Sequence, residues 1–111
     1  MINELLELNK KLTKSLKELR KNGIKLAECE KLYKIEVNKK ALELRSQDIP
    51  VTLIQLTIYG YDNISNLRFK RDCAEVIYNA NLEAINTLKL QIRILSNQIE
   101  KEYYEGDKWC I

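Results

Sequence analysis

The sequence predicts an all-α protein: a long antiparallel helical hairpin, coiled-coil-like, with a short central helix, associating into an oligomer. Three observations carry this. Apolar residues recur every seven positions on both sides of the chain's midpoint, the spacing of a helix-packing seam. Of 111 residues, 32% are charged while only three are Gly and one is Pro, a mixture that favours long helices over loops. The Pro and one of the Gly bracket a central run, Pro50 to Gly60, where two long helices can meet. One domain covers residues 1–111, and a hairpin this short leaves an apolar stripe uncovered that a second copy would cover.

The first long helix is expected from about Asn3 to Ser46. Leu5, Leu12, Leu19, Leu26 and Tyr33 share one heptad position. Ile2, Leu16, Val37 and Leu44 fall on the expected partner position, with Asn9, Gly23 and Glu30 as interruptions. The sevenfold spacing passes through Asn22-Gly23 in phase, so a kink is expected there and not a break. A continuous helix of this length spans roughly 65 Å at about 1.5 Å per residue.

Residues 50–59 pose a choice. By propensity Val51 to Tyr59 reads as a β-strand, since it is rich in β-branched and aromatic residues. A lone strand in a helical chain has no partner to pair with. The expected element is therefore a short helix, capped by Asp48, begun at Pro50 and stopped by Gly60. Val51, Ile54 and Ile58, with Leu53 and Leu56 beside them, suit a helix buried nearly all round. The last helix, capped by Asp62 or Asn63, runs from about residue 63 to Tyr104. Its seam is Ile64, Tyr78, Ile85, Ile92 and Ile99 on one position, interrupted by Arg71, and Leu67, Ala74, Leu88 and Leu95 on the other, interrupted by Asn81. An Asn within such a seam fixes register at some cost in stability. The end, Glu105 to Ile111, is expected to fray, with Trp109 able to dock on a neighbour.

The chemistry is mostly exclusion. The chain has no His, which removes the usual general base, the Ser-His-Asp and Cys-His arrangements and the common zinc sets. Its three Gly stand apart, so no phosphate-cradling loop exists. Cys29, Cys73 and Cys110 lack the spacing of a cysteine zinc site or a disulfide framework. Cys29 and Cys73 read as packed small residues in a reduced, cytosolic setting. No cofactor, no metal and no enzymatic activity are expected. The start of the chain lacks signal-peptide organisation, Cys110 is not in a prenylation box, and no membrane association is expected.

One cluster has binding chemistry. Arg68, Lys70 and Arg71 begin the last helix close to Tyr59 and Tyr61, combining phosphate-binding cations with rings on which a base can stack. This is the candidate ligand site. Against it stands the plainer reading that the arginines pair with Asp62, Asp72 or Glu75 while the tyrosines pack the hairpin tip. The same region admits a helix-turn-helix in which Arg68, Lys70 and Arg71 face a DNA groove, although Asp62 and Asp72 dilute its charge. The net charge of +3 permits anionic partners, nucleic acid included, without demanding them. The basic first helix, with Lys10, Lys11, Lys14, Lys17, Arg20, Lys21 and Lys25, reads as a solvated face.

Five runs carry a resemblance: Lys40-Ala41-Leu42-Glu43-Leu44-Arg45, Pro50-Val51-Thr52-Leu53-Ile54, Tyr59-Gly60, Leu67 to Glu75, and Glu83 to Arg93. Over about Leu26 to Tyr103 the chain resembles a family of small phage and prophage proteins of Gram-positive bacteria. The resemblance implies a phage-encoded protein acting in the cytoplasm of the host cell, and it supplies no active residues. In that setting two functions are expected. One is a non-enzymatic binder that interferes with a host process in anti-defence, as an anti-CRISPR-type inhibitor of a host protein or a sponge for a nucleotide-like anionic signal. The other is a DNA-binding accessory protein of phage replication or recombination. The partners expected are a second copy of the chain and either a host protein or a nucleotide-like ligand.

Overall fold

The computed structural model describes residues 1–109, with side chains described through Glu105. Three α-helices and one 3-10 turn follow in order: α1 (Ile2–Ser46), α2 (Val51–Thr57), the 3-10 turn (Ile58–Gly60) and α3 (Asp62–Trp109). The described residues contain no strand. The β-branched run at residues 51–59 is thus helical: burial of Ile54 and Ile58, four residues apart, overrides its strand propensity. α3 extends to Trp109, past the expected end at Tyr104. The expectations about the Trp109 side chain, Cys110 and Ile111 lie outside the described residues.

The chain divides into two compact units, one of Met1–Arg20 with Asn79–Ile111, the other of Lys21–Tyr78. In each, α1 packs against α3 in antiparallel fashion. In the first unit Asn81 of α3 meets Ser15 of α1. In the second Tyr78 lies against Gly23, and Arg71 against Tyr33.

The α3 seam follows the sequence. Ile64, Ala74, Ile85 and Leu95 are buried, and Leu67, Arg71, Tyr78, Asn81, Leu88, Ile92 and Ile99 are half-buried between them. Asn81 donates from Nδ2 to the Ser15 carbonyl at 3.2 Å, so the seam asparagine is engaged with the facing helix.

The α1 seam differs from expectation. The series Leu5, Leu12, Leu19, Leu26 and Tyr33 faces inward, but its partners along the first part of the helix are Leu8, Ser15, Asn22 and Cys29. Ile2 is 65% and Leu16 46% exposed, whereas Val37 is half-buried and Leu44 buried. The inward face therefore moves along the sequence by one residue between Leu8 and Val37. A helix holding about 3.6 residues per turn drifts about 20° per heptad against a strict sevenfold repeat, which over this length amounts to about one residue. α1 runs unbroken through Asn22-Gly23. Gly23 there serves packing: a Cβ added to it would touch the Tyr78 ring, 3.4 Å from Cε2.

The end of α1 is built differently from the expected cap. Asp48 does not cap α2. It has φ 63°, the left-handed region, and stands just past the last turn of α1. The Ile49 N–H reaches back to the Leu44 carbonyl at 3.2 Å and the Asp48 N–H to the Arg45 carbonyl at 3.0 Å. These are the two bonds of a Schellman turn, and Ile49 packs on the cluster that contains Leu44, the apolar contact that accompanies this motif. α2 then starts without a side-chain cap at Pro50, whose carbonyl accepts from Leu53 and Ile54 N–H, each at 3.0 Å. Asp62 likewise is not the residue before α3: it is its first helical residue, and the Tyr61 carbonyl accepts from the Ser65 N–H at 2.8 Å. Its carboxylate still suits the positive end of the helix dipole.

The unit Lys21–Tyr78 is held by a core of Tyr33, Leu44, Ile54, Ile58 and Ile64, on which Val37, Ala41, Ile49, Tyr61 and Leu67 pack. Ile64, the first seam residue of α3, is 0% exposed. α2 contributes only Ile54 to this core, and the 3-10 turn Ile58; Val51, Leu53 and Leu56 are exposed, so α2 is not buried all round. Its seven residues turn one face to the core and the other to solvent.

Two stability tests follow from these contacts. Ile64→Ala leaves a cavity where nothing borders on solvent and is expected to cost about 2–5 kcal/mol in urea denaturation followed by circular dichroism. Asp48→Gly relieves the left-handed strain and is expected to gain about 0.5–1 kcal/mol, whereas Asp48→Val, β-branched, should lose about 1–2 kcal/mol.

Candidate functional site

The candidate residues are drawn from the 3-10 turn, from Tyr61 that follows it and from the first three turns of α3, all in the unit Lys21–Tyr78. All but Lys70 fall into three separate cation–ring pairs. The Arg68 guanidinium carbon lies 5.3 Å from the centroid of the Tyr59 ring. Lys40 Nζ lies 4.3 Å from the centroid of Tyr61. The Arg71 guanidinium carbon lies 4.7 Å from the centroid of Tyr33.

Seam position explains two of the pairs. Arg71 interrupts the Ile series of α3, and Lys40 continues the Leu5 to Tyr33 series of α1 by one more heptad. Each cation is thus aimed along an apolar seam. A ring face is the one apolar surface that also attracts a cation, at about 0.5–1 kcal/mol when exposed and about 2 when desolvated. Tyr33 is buried beneath Arg71, and Tyr61 is half-buried beside Lys40. The pairs are further tied by carboxylates. Arg71 donates to Asp72 Oδ1 from Nη2 at 2.8 Å and from Nε at 3.2 Å. This bond, against the partial desolvation of the group, holds the Arg71 pKa above its ordinary value, so the residue is cationic at every working pH. Lys40 Nζ lies 3.5 Å from Glu43 Oε2.

Of the expected site, the structure brings Arg68 to Tyr59 and leaves both exposed. Tyr61 is engaged with Lys40, and Arg71 with Tyr33 and Asp72. Asp72 was among the acidic partners expected for the arginines; Lys40 and Tyr33 were not singled out. The signal for them was present in the heptad count, which places Tyr33 and then Lys40 on the inward position.

Lys70 belongs to another surface. With Lys25, Cys29, Phe69, Cys73, Ala74 and Ile77 it lines a groove of about 440 Å³ between α1 and α3 of this unit. Cys29 is half-buried, but Cys73 is exposed rather than packed, because it lies one residue before the buried Ala74 and on the outer side of the seam.

Among the described residues no group of three or more His, Cys, Asp or Glu is placed to hold a metal ion, and no helix is long and apolar enough to cross a membrane. Comparison of the chain with protein-family models, curated proteins and solved structures gave no match.

Truncating the most buried of the three pairs tests its structural role. Arg71→Ala is expected to cost about 1–2 kcal/mol by removing the ring contact and the packed side-chain stem. A double-mutant cycle with Tyr33→Leu should return a coupling of about 1 kcal/mol; additive losses would show that the stacked arrangement carries no stability.

Proposed function

We propose that this is a phage-encoded, non-enzymatic binding protein that acts in the host cytoplasm by docking on a host protein and blocking it, in the manner of an anti-CRISPR-type inhibitor. The observation that supports this is the outer face of α2. The run from Ile49 to Tyr61 contains no charged residue in a chain that is one-third charged. Within it Val51 is 50%, Leu53 47%, Leu56 82% and Tyr59 48% exposed. Leu53 and Leu56, three residues apart on α2, lie side by side on that face, and burying a Leu side chain is worth about 1.5–3 kcal/mol, so the pair supplies an apolar anchor for a partner. The face is also held rigidly from behind by Ile54 and Ile58, which lowers the ordering cost of binding.

Self-association belongs to the same proposal. In the unit Met1–Arg20 with Asn79–Ile111, Leu6, Leu16, Leu90 and Ile94 are each about half exposed, and a second copy would cover them. A dimer or higher oligomer would present the α2 face more than once and raise avidity.

One observation favours the nucleotide sponge as a second reading. Arg68 over the exposed Tyr59 offers a guanidinium beside a ring face, the pairing that holds a phosphate and a base. The remaining cations do not join it, since Arg71 is engaged with Asp72 and Lys70 lines a different groove. The duplex-binding alternative meets the same obstacle, because it needs Arg71 free for a phosphate.

Affinity purification from host cells, followed by reconstitution of the complex from purified components, tests the proposal. A stoichiometric host protein is expected, and Leu53→Ser with Leu56→Ser should weaken it at least about tenfold while the melting temperature is unchanged. Equal affinity of the double variant would refute docking through α2. Release of a nucleotide on denaturing the purified protein would favour the sponge.

A further inference from the structure

We infer that the groove between α1 and α3 in the unit Lys21–Tyr78 is a second docking site, which takes an acidic amphipathic helix of the partner protein. The inference rests on reading the chain as a protein binder, and it names the chemistry of what is bound.

The groove has an apolar floor and cationic ends. Cys29, Phe69, Cys73, Ala74 and Ile77 form the floor. Phe69 is 69% and Ile77 48% exposed, so the surface is open to a partner. The charged residues that line it are Lys25 and Lys70, with no carboxylate among the lining side chains. Neither lysine has a partner among the ion pairs of the described residues, in contrast to Lys10, Lys39 and Lys40.

The register sets the spacing. Gly23 of α1 stands against Tyr78 of α3, so Lys25 sits at about the level of Val76 or Ile77. Lys70 stands on the opposite wall, about two helical turns or roughly 10 Å along the groove. A helix laid in the groove would meet one lysine at each end and the apolar floor between. Its recognition pattern is therefore two acidic residues about seven positions apart, bracketing apolar residues at i, i+3 or i+4 spacing. An acidic occupant is favoured by both lysines. A basic one would place like charges at both ends of a largely desolvated contact.

A fluorescein-labelled synthetic peptide of about five helical turns, with leucines along one stripe and glutamates about seven residues apart beside them, is the probe. Fluorescence anisotropy is expected to show saturable binding, at least about tenfold weaker for the same peptide with lysines in place of the glutamates. Lys25→Glu with Lys70→Glu, both at exposed positions, should invert that preference. Phe69→Ser with Ile77→Ser should abolish binding of either peptide with an unchanged helical circular dichroism spectrum. In the wild-type protein the acidic peptide should slow alkylation of Cys73 by iodoacetamide, mapped by mass spectrometry. Binding indifferent to the lysine reversal overturns the inference. So does protection of Cys73 that rises with protein concentration in the absence of peptide, which would make a second copy of the chain the occupant. A host partner lost with the α2 variants but retained with the groove variants leaves the proposed function standing and removes this site. Selective peptide binding without any host partner does the reverse.

Discussion

Two helices joined by one seam cannot hide much of that seam from water, and the rest of this structure depends on how that shortage is met. An apolar stripe on each helix faces only one neighbour, so most seam residues are half-buried at best. The remedy is local. α2 and the 3-10 turn place Ile54 and Ile58 over the end of the seam, and five residues become buried together. Ile64 loses its last contact with solvent there. The Schellman turn at Asp48 and Ile49 makes this geometry available by ending α1 sharply while contributing an apolar contact of its own. Structure and proposed function share this element, since the same short helix that closes the core on one side offers an apolar face on the other.

The charged residues near this core follow from the seam as well. Lys40 and Arg71 occupy inward positions that the heptad pattern elsewhere gives to Leu and Ile. They are accommodated because Tyr61 and Tyr33 present ring faces where aliphatic side chains would otherwise stand. An arginine held between a ring and a carboxylate is a structural group before it is a ligand group. This is why three cations and two tyrosines that look like one site in sequence separate into a half-buried Arg71 tied to Tyr33, a Tyr61 held by Lys40, an exposed Arg68–Tyr59 pair, and a lysine on a neighbouring groove.

The sequence was most legible where the pattern was redundant. In α3 the positions from Ile64 to Ile99 could be assigned one by one, because large apolar residues repeat on both seam positions and a single Arg or Asn does not obscure them. In α1 only one of the two positions is marked by leucines along its length. The other carries, after Leu8, Ser15, Asn22 and Cys29, small or polar residues that give no hydrophobic signal, while the apolar Leu16 lies one step outside. Counting apolar residues alone then selects the wrong neighbour. The left-handed Asp48 was hidden for a different reason: Asp before a proline-initiated helix suits a cap and a left-handed terminus equally well, and only backbone geometry separates them. The exposure of Val51, Leu53 and Leu56 was illegible because an apolar run says what could be buried, not how much neighbouring chain there is to bury it.

The α2 core also sets an order of assembly. Leu44, Ile54 and Ile64 are separated by short stretches of chain, whereas Asn81 must find Ser15 across 66 positions. Closing a loop costs entropy that grows with its length, and long-range contacts recover that cost only after closure. Loop entropy therefore favours contacts around the Schellman turn over the Asn81–Ser15 contact as the first to form. A chain emerging from the ribosome holds every residue of the contacts around that turn once the first turns of α3 are free. The part of the molecule with the shortest loops to close is then also the part whose apolar face the proposed docking would use.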